Sequence, residues 1–164
     1  MLQGIYQGSL HIVKICQNCG FKRNQEDFFY NLILEVKNMS TIQQSLKNFV
    51  DGEIMEGVDC EQCKQRSKLE KKQYLEHLPN NLLIQLQRFT YDFDDAMSLK
   101  KINSRLEFPQ ALDMAPYLHE DVRGNALYHL KGVILHTGFA QAGHYRSLIK
   151  QDHSWFMFDD KVVS

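Results

Sequence analysis

Cys16-x2-Cys19 and Cys60-x2-Cys63 account for every cysteine in the chain. A two-residue gap lets both thiolates of a knuckle point at one ion, and two such pairs supply the four ligands of a tetrahedral zinc. Four sulfurs close the coordination shell, so the expected metal is structural and not catalytic. Gly20 directly after Cys19 and Gly57 shortly before Cys60 fit tight turns there. Two other readings stand beside this one. The four could be reduced core cysteines, or a thioredoxin-like redox pair could be present. Neither pair opens a helix in a βαβ unit, which counts against the redox reading.

A second set of residues lies near the C-terminus. Gly143-His144-Tyr145 begins one extended stretch, and Trp155-Phe156-Met157-Phe158 leads to Asp159-Asp160 in the next. The polar residues Lys150 to Ser154 lie between them, so the segment reads as an antiparallel hairpin with a five-residue loop. A turn centred between 151 and 152 places His144 directly opposite Asp159. Directly opposed residues share a face, with Cβ atoms roughly 4.5–5.5 Å apart. A slip of one residue would destroy that placement. An Asp held against a His fixes its tautomer, raises its basicity and stabilises the imidazolium formed when a thiol or hydroxyl gives up its proton. On spacing alone, a cross-strand polar pair at a surface is the commoner outcome for such residues, and both readings remain open at this point.

The elements that must position these residues are mostly strands. Phe28 to Val36 reads as a strand leading away from the first Cys pair. Ser40 or Thr41 is expected to cap a helix carrying Ile42, Leu46, Phe49 and Val50 at helical spacing and ending near Asp51-Gly52. Lys68 to His77 is mixed and charged. Leu82 to Phe89 follows Pro79-Asn80-Asn81 and reads as a buried strand after a turn. Tyr91 to Lys101 is polar and acidic, a hairpin loop. Leu106 to Pro109 is a short extended piece, and Asn125 to His136 a further strand. The last two strands are Gly143 to Ile149 and Trp155 to Phe158. No linker divides the chain, so one domain, or one domain with a zinc-bearing extension, is expected.

Length and composition exclude several classes. The 164 residues suffice for one domain with a sizeable core, and 43% apolar with 24% charged residues is ordinary for a soluble chain. The net charge of -1 leaves no field that draws a polyanion, so nucleic acid is not the expected partner. Short basic runs such as Lys68 to Lys72 read as solvated faces. No apolar run is long enough to span a bilayer, and the N-terminus lacks the pattern of a signal peptide. An intracellular location is expected, in cytoplasm or nucleus, where disulfides are rare.

The ordered motifs resemble one family. Gly143-His144-Tyr145, the run Trp155 to Asp160 and Val162-Val163 look like the His box of the ubiquitin-specific proteases, as does His136-Thr137-Gly138 eight residues earlier. Ile5-Tyr6-Gln7-Gly8 is similar to the start of that family's fingers, and the Cys pairs to its zinc ribbon. Leu82 to Phe89 resembles a strand with an Arg-Phe end, and Lys101-Ile102-Asn103 and Phe108-Pro109 match the segment that follows. The resemblance runs through essentially the whole chain in the family's order. It implies an α+β, papain-like fold of palm, thumb and fingers. Here that means an antiparallel palm sheet (about 76–164) with zinc-ribbon fingers (about 8–75), the N-terminal thumb missing. It implies His144 as general base, Asp159 as its orienter and Asp160 as a second polar residue beside the site. Tyr145 and His136 would line a channel for ubiquitin's tail. Cys16, Cys19, Cys60 and Cys63 would hold a structural zinc. The partners implied are ubiquitin and ubiquitinated proteins, with neither nucleic acid nor membrane.

The family's nucleophile box and Gln-rich box are not found in these residues, nor is a last strand after Val163. Each cysteine already belongs to an x2 pair, whereas a nucleophilic thiolate should sit near a helix N-terminus beside its base. The chain is therefore expected to be a fragment of a thiol-dependent deubiquitinase, inactive alone, with apolar surface exposed on one side of its sheet. Two alternatives are a catalytically inactive ubiquitin-binding pseudoenzyme module and a zinc-ribbon nucleic-acid binder, the latter disfavoured by the neutral charge.

Overall fold

The computed structural model describes residues 3–92, 98–122, 124 and 126–164. After a short helix α1 (Gln3–Tyr6), the chain forms two hairpins whose inner strands pair with each other. β1 (Gly8–Cys16) pairs antiparallel with β2 (Lys22–Phe29). After β3 (Leu32–Glu35) and helix α2 (Ile42–Asp51), β4 (Glu53–Asp59) pairs antiparallel with β5 (Arg66–His77). β1 and β5 then pair along their length, from Ser9 opposite His77 to Cys16 opposite Leu69, giving the order β2-β1-β5-β4. The charged stretch Lys68 to His77 thus lies within the longest strand of the described residues. Its charge is carried by cross-strand ion pairs, such as Lys71 Nζ to Glu53 at 3.2 Å.

The expected helix is present, and of the two expected caps, Ser40 and Thr41, it is Thr41 that caps it. Thr41 is extended, its Oγ1 accepts from the Gln44 amide, and the Gln44 side chain accepts from the Thr41 amide in return. Gly52 ends the helix at φ 78, in the left-handed region. Ile42, Leu46 and Val50 recur on one face and enter the core with Leu10, Ile12, Phe29, Leu32, Leu34, Leu75, Met114 and Tyr117. Leu34, Leu46, Leu75 and Met114 are fully buried.

Several expected boundaries are corrected. The single strand Phe28 to Val36 is two, because the chain bends at Tyr30-Asn31 and β3 leaves the first sheet. β3 pairs in parallel with β6 (Ile84–Gln87), after a crossover that includes α2. The stretch Leu82 to Phe89 is not a buried strand. Its regular part is four residues of alternating half-buried and exposed side chains, because one face of this two-stranded ribbon is open. The stretch Tyr91 to Lys101, expected as a hairpin loop, instead carries strand at both ends: β7 (Phe89–Asp92) and β8 (Ser98–Lys101) pair antiparallel, and the connection at 93–97 lies outside the described residues. β9 (Ala111–Asp113) leads into a 3-10 turn (Ala115–Tyr117). The strand expected from Asn125 to His136 is broken at Leu130-Lys131. Its first half, β10 (Leu127–His129), pairs with β9, and its second, β11 (Gly132–Gly138), joins another sheet. Asn125 lies outside the described residues.

That last sheet has the order β11-β12-β13-β14, with β12 (Gly143–Gln151), β13 (Ser154–Asp159) and β14 (Val162–Val163), all antiparallel. One face carries Ile134, Tyr145, Ile149, Phe156, Phe158 and Val163, all exposed, as expected of this sheet.

Candidate functional site

The cysteines come together because the knuckles are the turns of the two hairpins. Cys16–Phe21 joins β1 to β2, and Cys60–Gln65 joins β4 to β5. The turns have one shape. The Cys16 amide donates to Phe21 O at 2.9 Å and the Gly20 amide to Cys16 O at 2.8 Å. Likewise the Cys60 amide donates to Gln65 O at 3.0 Å and the Lys64 amide to Cys60 O at 2.9 Å. Gly20 at φ 72 and Lys64 at φ 56 hold the same left-handed position after the second cysteine. The counterpart of Gly20 is therefore Lys64. Gly57, expected to fit a tight turn shortly before Cys60, sits instead within β4 at φ 69, where the β4–β5 register shifts.

The donor set fits zinc. All four sulfurs lie within 4.8 Å of one another, and Cys19 Sγ to Cys60 Sγ is 3.7 Å. A tetrahedron with Zn–S near 2.3 Å has an edge of about 3.8 Å. The crowding of the sulfurs and their polar neighbours shifts the ionisation of individual thiols in opposite directions. The Ser67 hydroxyl at 3.2 Å is the main cause lowering Cys16 to about 6. The Phe21 amide favours the Cys19 thiolate, but desolvation and the sulfurs of Cys16, Cys60 and Cys63 outweigh it and raise Cys19 to about 11. A divalent cation removes that mutual penalty. Ser67, and Asn18 whose Nδ2 donates to Cys63 Sγ at 3.6 Å, are polar neighbours of the sulfurs that spacing did not reveal. Only their position relative to the folded knuckles marks them.

At the other site, the hairpin turn is tighter than expected. Gln151 pairs with Ser154, so the loop is the two residues Asp152-His153, with Asp152 at φ 52. The register runs Ser147 opposite Phe158, and one further step puts Arg146, not His144, across from Asp159. His144 and Asp159 nevertheless meet: Nε2 of the imidazole is hydrogen-bonded to Oδ1 of Asp159. The shift from the expected register is two residues, which leaves both side chains on the same face. Asp160, in the β13–β14 turn at φ 51, brings a carboxylate oxygen within 4.8 Å of the His144 and Asp159 atoms. The Asp159 hydrogen bond and charge raise the His144 pKa, with a smaller contribution from Asp160, against desolvation and Arg146. With Nε2 protonated toward the carboxylate, Nδ1 keeps a lone pair.

His136 and Tyr145 stand opposite each other in the ladder, with ring centroids 4.5 Å apart. Thr137 is the residue opposite His144. Strand alternation therefore puts the His136–Tyr145 pair on the other face of the sheet from His144, meeting it only at the β11–β12 turn. None of the four cysteines belongs to the His144 cluster; all converge on one another.

The family described as ubiquitin carboxyl-terminal hydrolase has a model that matches residues 6–164. Ubiquitin carboxyl-terminal hydrolase 9Y of Mus musculus is 33% identical over 200 residues, covering 100% of this chain and 8% of that protein. Ubiquitin carboxyl-terminal hydrolase 15 of Saccharomyces cerevisiae is 32% identical over 177 residues, covering 99% of this chain and 14% of that protein. The chain thus spans a small part of these relatives' length. Among solved structures, the yeast SAGA DUBm with an Sgf73 mutant superposes with TM-score 0.90 at 28% identity, over 99% of this chain and 37% of that one. The SAGA Ubp8/Sgf11/Sus1/Sgf73 DUB module bound to ubiquitin aldehyde gives TM-score 0.88 at 26% identity, over 99% and 38%.

Proposed function

This chain belongs to the ubiquitin carboxyl-terminal hydrolase family, and from that premise we propose that it is the base-bearing part of a thiol-dependent deubiquitinase. The observation that carries the reading is the His144–Asp159 hydrogen bond. Asp159 orients the ring and stabilises its charged form, and Asp160 adds a second carboxylate beside it. Nδ1 of His144 takes the proton of a cysteine thiol. The thiolate attacks the carbonyl carbon at ubiquitin's C-terminal glycine, forming an S–C bond, and the amine leaves with the proton from His144. Water then hydrolyses the thioester. The four cysteines here are committed to their own cluster, so the attacking thiol is a different one, and the 164 residues alone are inactive.

Residues of about 8–75 act in this reading as fingers and about 76–164 as palm. The fingers hold a structural zinc through Cys16, Cys19, Cys60 and Cys63, which ties the distal ends of the two hairpins together. Ubiquitin and ubiquitinated proteins are the partners. His136 and Tyr145 receive the ubiquitin tail as it crosses the end of the β11–β12 hairpin toward His144. The same commitment of the cysteines is what favours the second reading, a ubiquitin-binding module without catalysis.

Isotope-labelled ubiquitin titrated with the zinc-loaded chain tests binding: shifts concentrated in ubiquitin's C-terminal tail are expected, and their absence at high protein concentration rejects it. An electrophilic ubiquitin probe tests the division of labour. No adduct is expected with this chain, and labelling of any of its cysteines overturns the assignment of all four to the metal.

A further inference from the structure

The turn that precedes His144 has little core to hold it. It runs from Gly138 at φ 109 to Gly143, is closed by the Phe139 amide donating to Ala142 O at 2.8 Å, and leaves Phe139 80% exposed. What holds it comes from the neighbouring β7–β8 hairpin. Lys101 Nζ donates to His136 O at 2.9 Å and to Gly138 O at 3.3 Å. These two carbonyls are two residues apart on β11, the outer strand of its sheet, and so project to the same side. Thr137, between them, is the ladder partner of His144, and its hydroxyl donates to His144 O at 3.3 Å. Gln141 Nε2 ties the turn to β8 a second time, donating to Leu99 O at 3.2 Å. Phe89 meets the His136 ring edge-on at 5.5 Å.

We propose that Lys101 is a positioning residue for His144: its ammonium bridges two edge carbonyls of β11 and so fixes the strand end and turn from which His144 projects. The bland alternative is a lysine that merely blunts a sheet edge. Against it stand the two-carbonyl bridge, the second tie through Gln141, and the direct bond from Thr137 to His144. Charge-assisted hydrogen bonds to a pair of carbonyls are stronger than the neutral bonds that water would make in their place. The proposal rests on His144 being the base, but its test uses no ubiquitin, so the two readings fail separately.

The test is NMR of the zinc-loaded chain, following amide exchange at 137–144 and the titration of each histidine ring. In Lys101→Met, exchange at 137–144 is expected to rise about tenfold, the loss of roughly one net hydrogen bond. The His144 titration should move down toward that of an ordinary histidine as its bond to Asp159 loosens. The other groups facing the ring, Asp160 from the β13–β14 turn and Arg146 from its own strand, are unaltered. Lys101→Arg, which keeps a cationic donor able to reach two carbonyls, should restore both readouts. His11 on β1 and His119, whose rings lie tilted against each other at 4.6 Å away from this turn, should not move. Gln141→Ala cuts the second tie and should loosen the same amides less, which keeps the test open if Lys101→Met does not fold. Unchanged exchange and an unmoved His144 overturn the proposal, as does a change shared equally by His11 and His119.

Discussion

His144 and Asp159 share their hydrogen bond from diagonal positions across the β12–β13 pair, with Arg146 in the place directly opposite Asp159. Diagonal neighbours on one face are about 7–8 Å apart at the backbone, within reach of an imidazole and a carboxylate leaning toward each other. Asp159 closes the β13 ladder and pairs with Val162, so the tight turn at Asp160-Lys161 holds the carboxylate in place.

The pair makes stability depend on pH in a definite direction. The folded-state pKa of His144 is raised, chiefly by the Asp159 hydrogen bond, above an unfolded value of about 6.5. Its contribution is therefore fully present at weakly acidic pH below about 6.5 and is lost as pH rises through the folded value. Denaturation of the chain and of Asp159→Ala across pH 5 to 9 should show a stability gap that is widest at the acid end and narrows above the His144 titration. In the variant, ring NMR should find His144 titrating lower. A gap independent of pH would exclude this coupling.

The cysteine cluster should bind one zinc per chain. Cobalt in its place should give the strong thiolate-to-metal absorption of a four-sulfur tetrahedral site, and Cys60→Ser should abolish stoichiometric binding. Apparent binding energies of structural zinc in finger peptides are about 10–16 kcal/mol at neutral pH, so chelation should lower the thermal midpoint. Protection against amide exchange should be lost first at the knuckles and at β4. Retention of full stability and exchange protection after chelation would remove the metal's structural role.

Gly143 should tolerate no side chain. A Cβ there would lie 2.1 Å from His136 Nε2 and 2.5 Å from Thr137 O, and the second of these is backbone within the ladder. Gly143→Ala should cost about 1–3 kcal/mol, the range for overpacked sites, and should shift the His136 and His144 ring resonances. Chemical denaturation measures the first and NMR the second. Wild-type stability would mean that the turn opens without cost.

Local pattern made part of this legible. The helix from Ile42 could be read with a cap at Ser40 or Thr41 and a stop near Asp51-Gly52 because capping and helical spacing are short-range. The two x2 cysteine pairs announced themselves for the same reason. The His144–Asp159 contact was anticipated from a five-residue loop that proved to be two residues. It survived because alternation has period two and the resulting shift was also two; a shift of one would have put the pair on opposite faces.

What the residues alone determined, then, is which side chains converge by type and parity: four thiols, and an imidazole with a carboxylate. The tertiary structure decided the register and the partners. The break of one apolar run into β10 and β11, the parallel pairing of β3 with β6, the left-handed Lys64 in the second knuckle, and the reach of Lys101 to β11 all depend on residues far apart in sequence. Hydrophobic period says which face of a strand is buried, but it carries no information about which strand lies alongside; that choice is made only when the segments pack against one another.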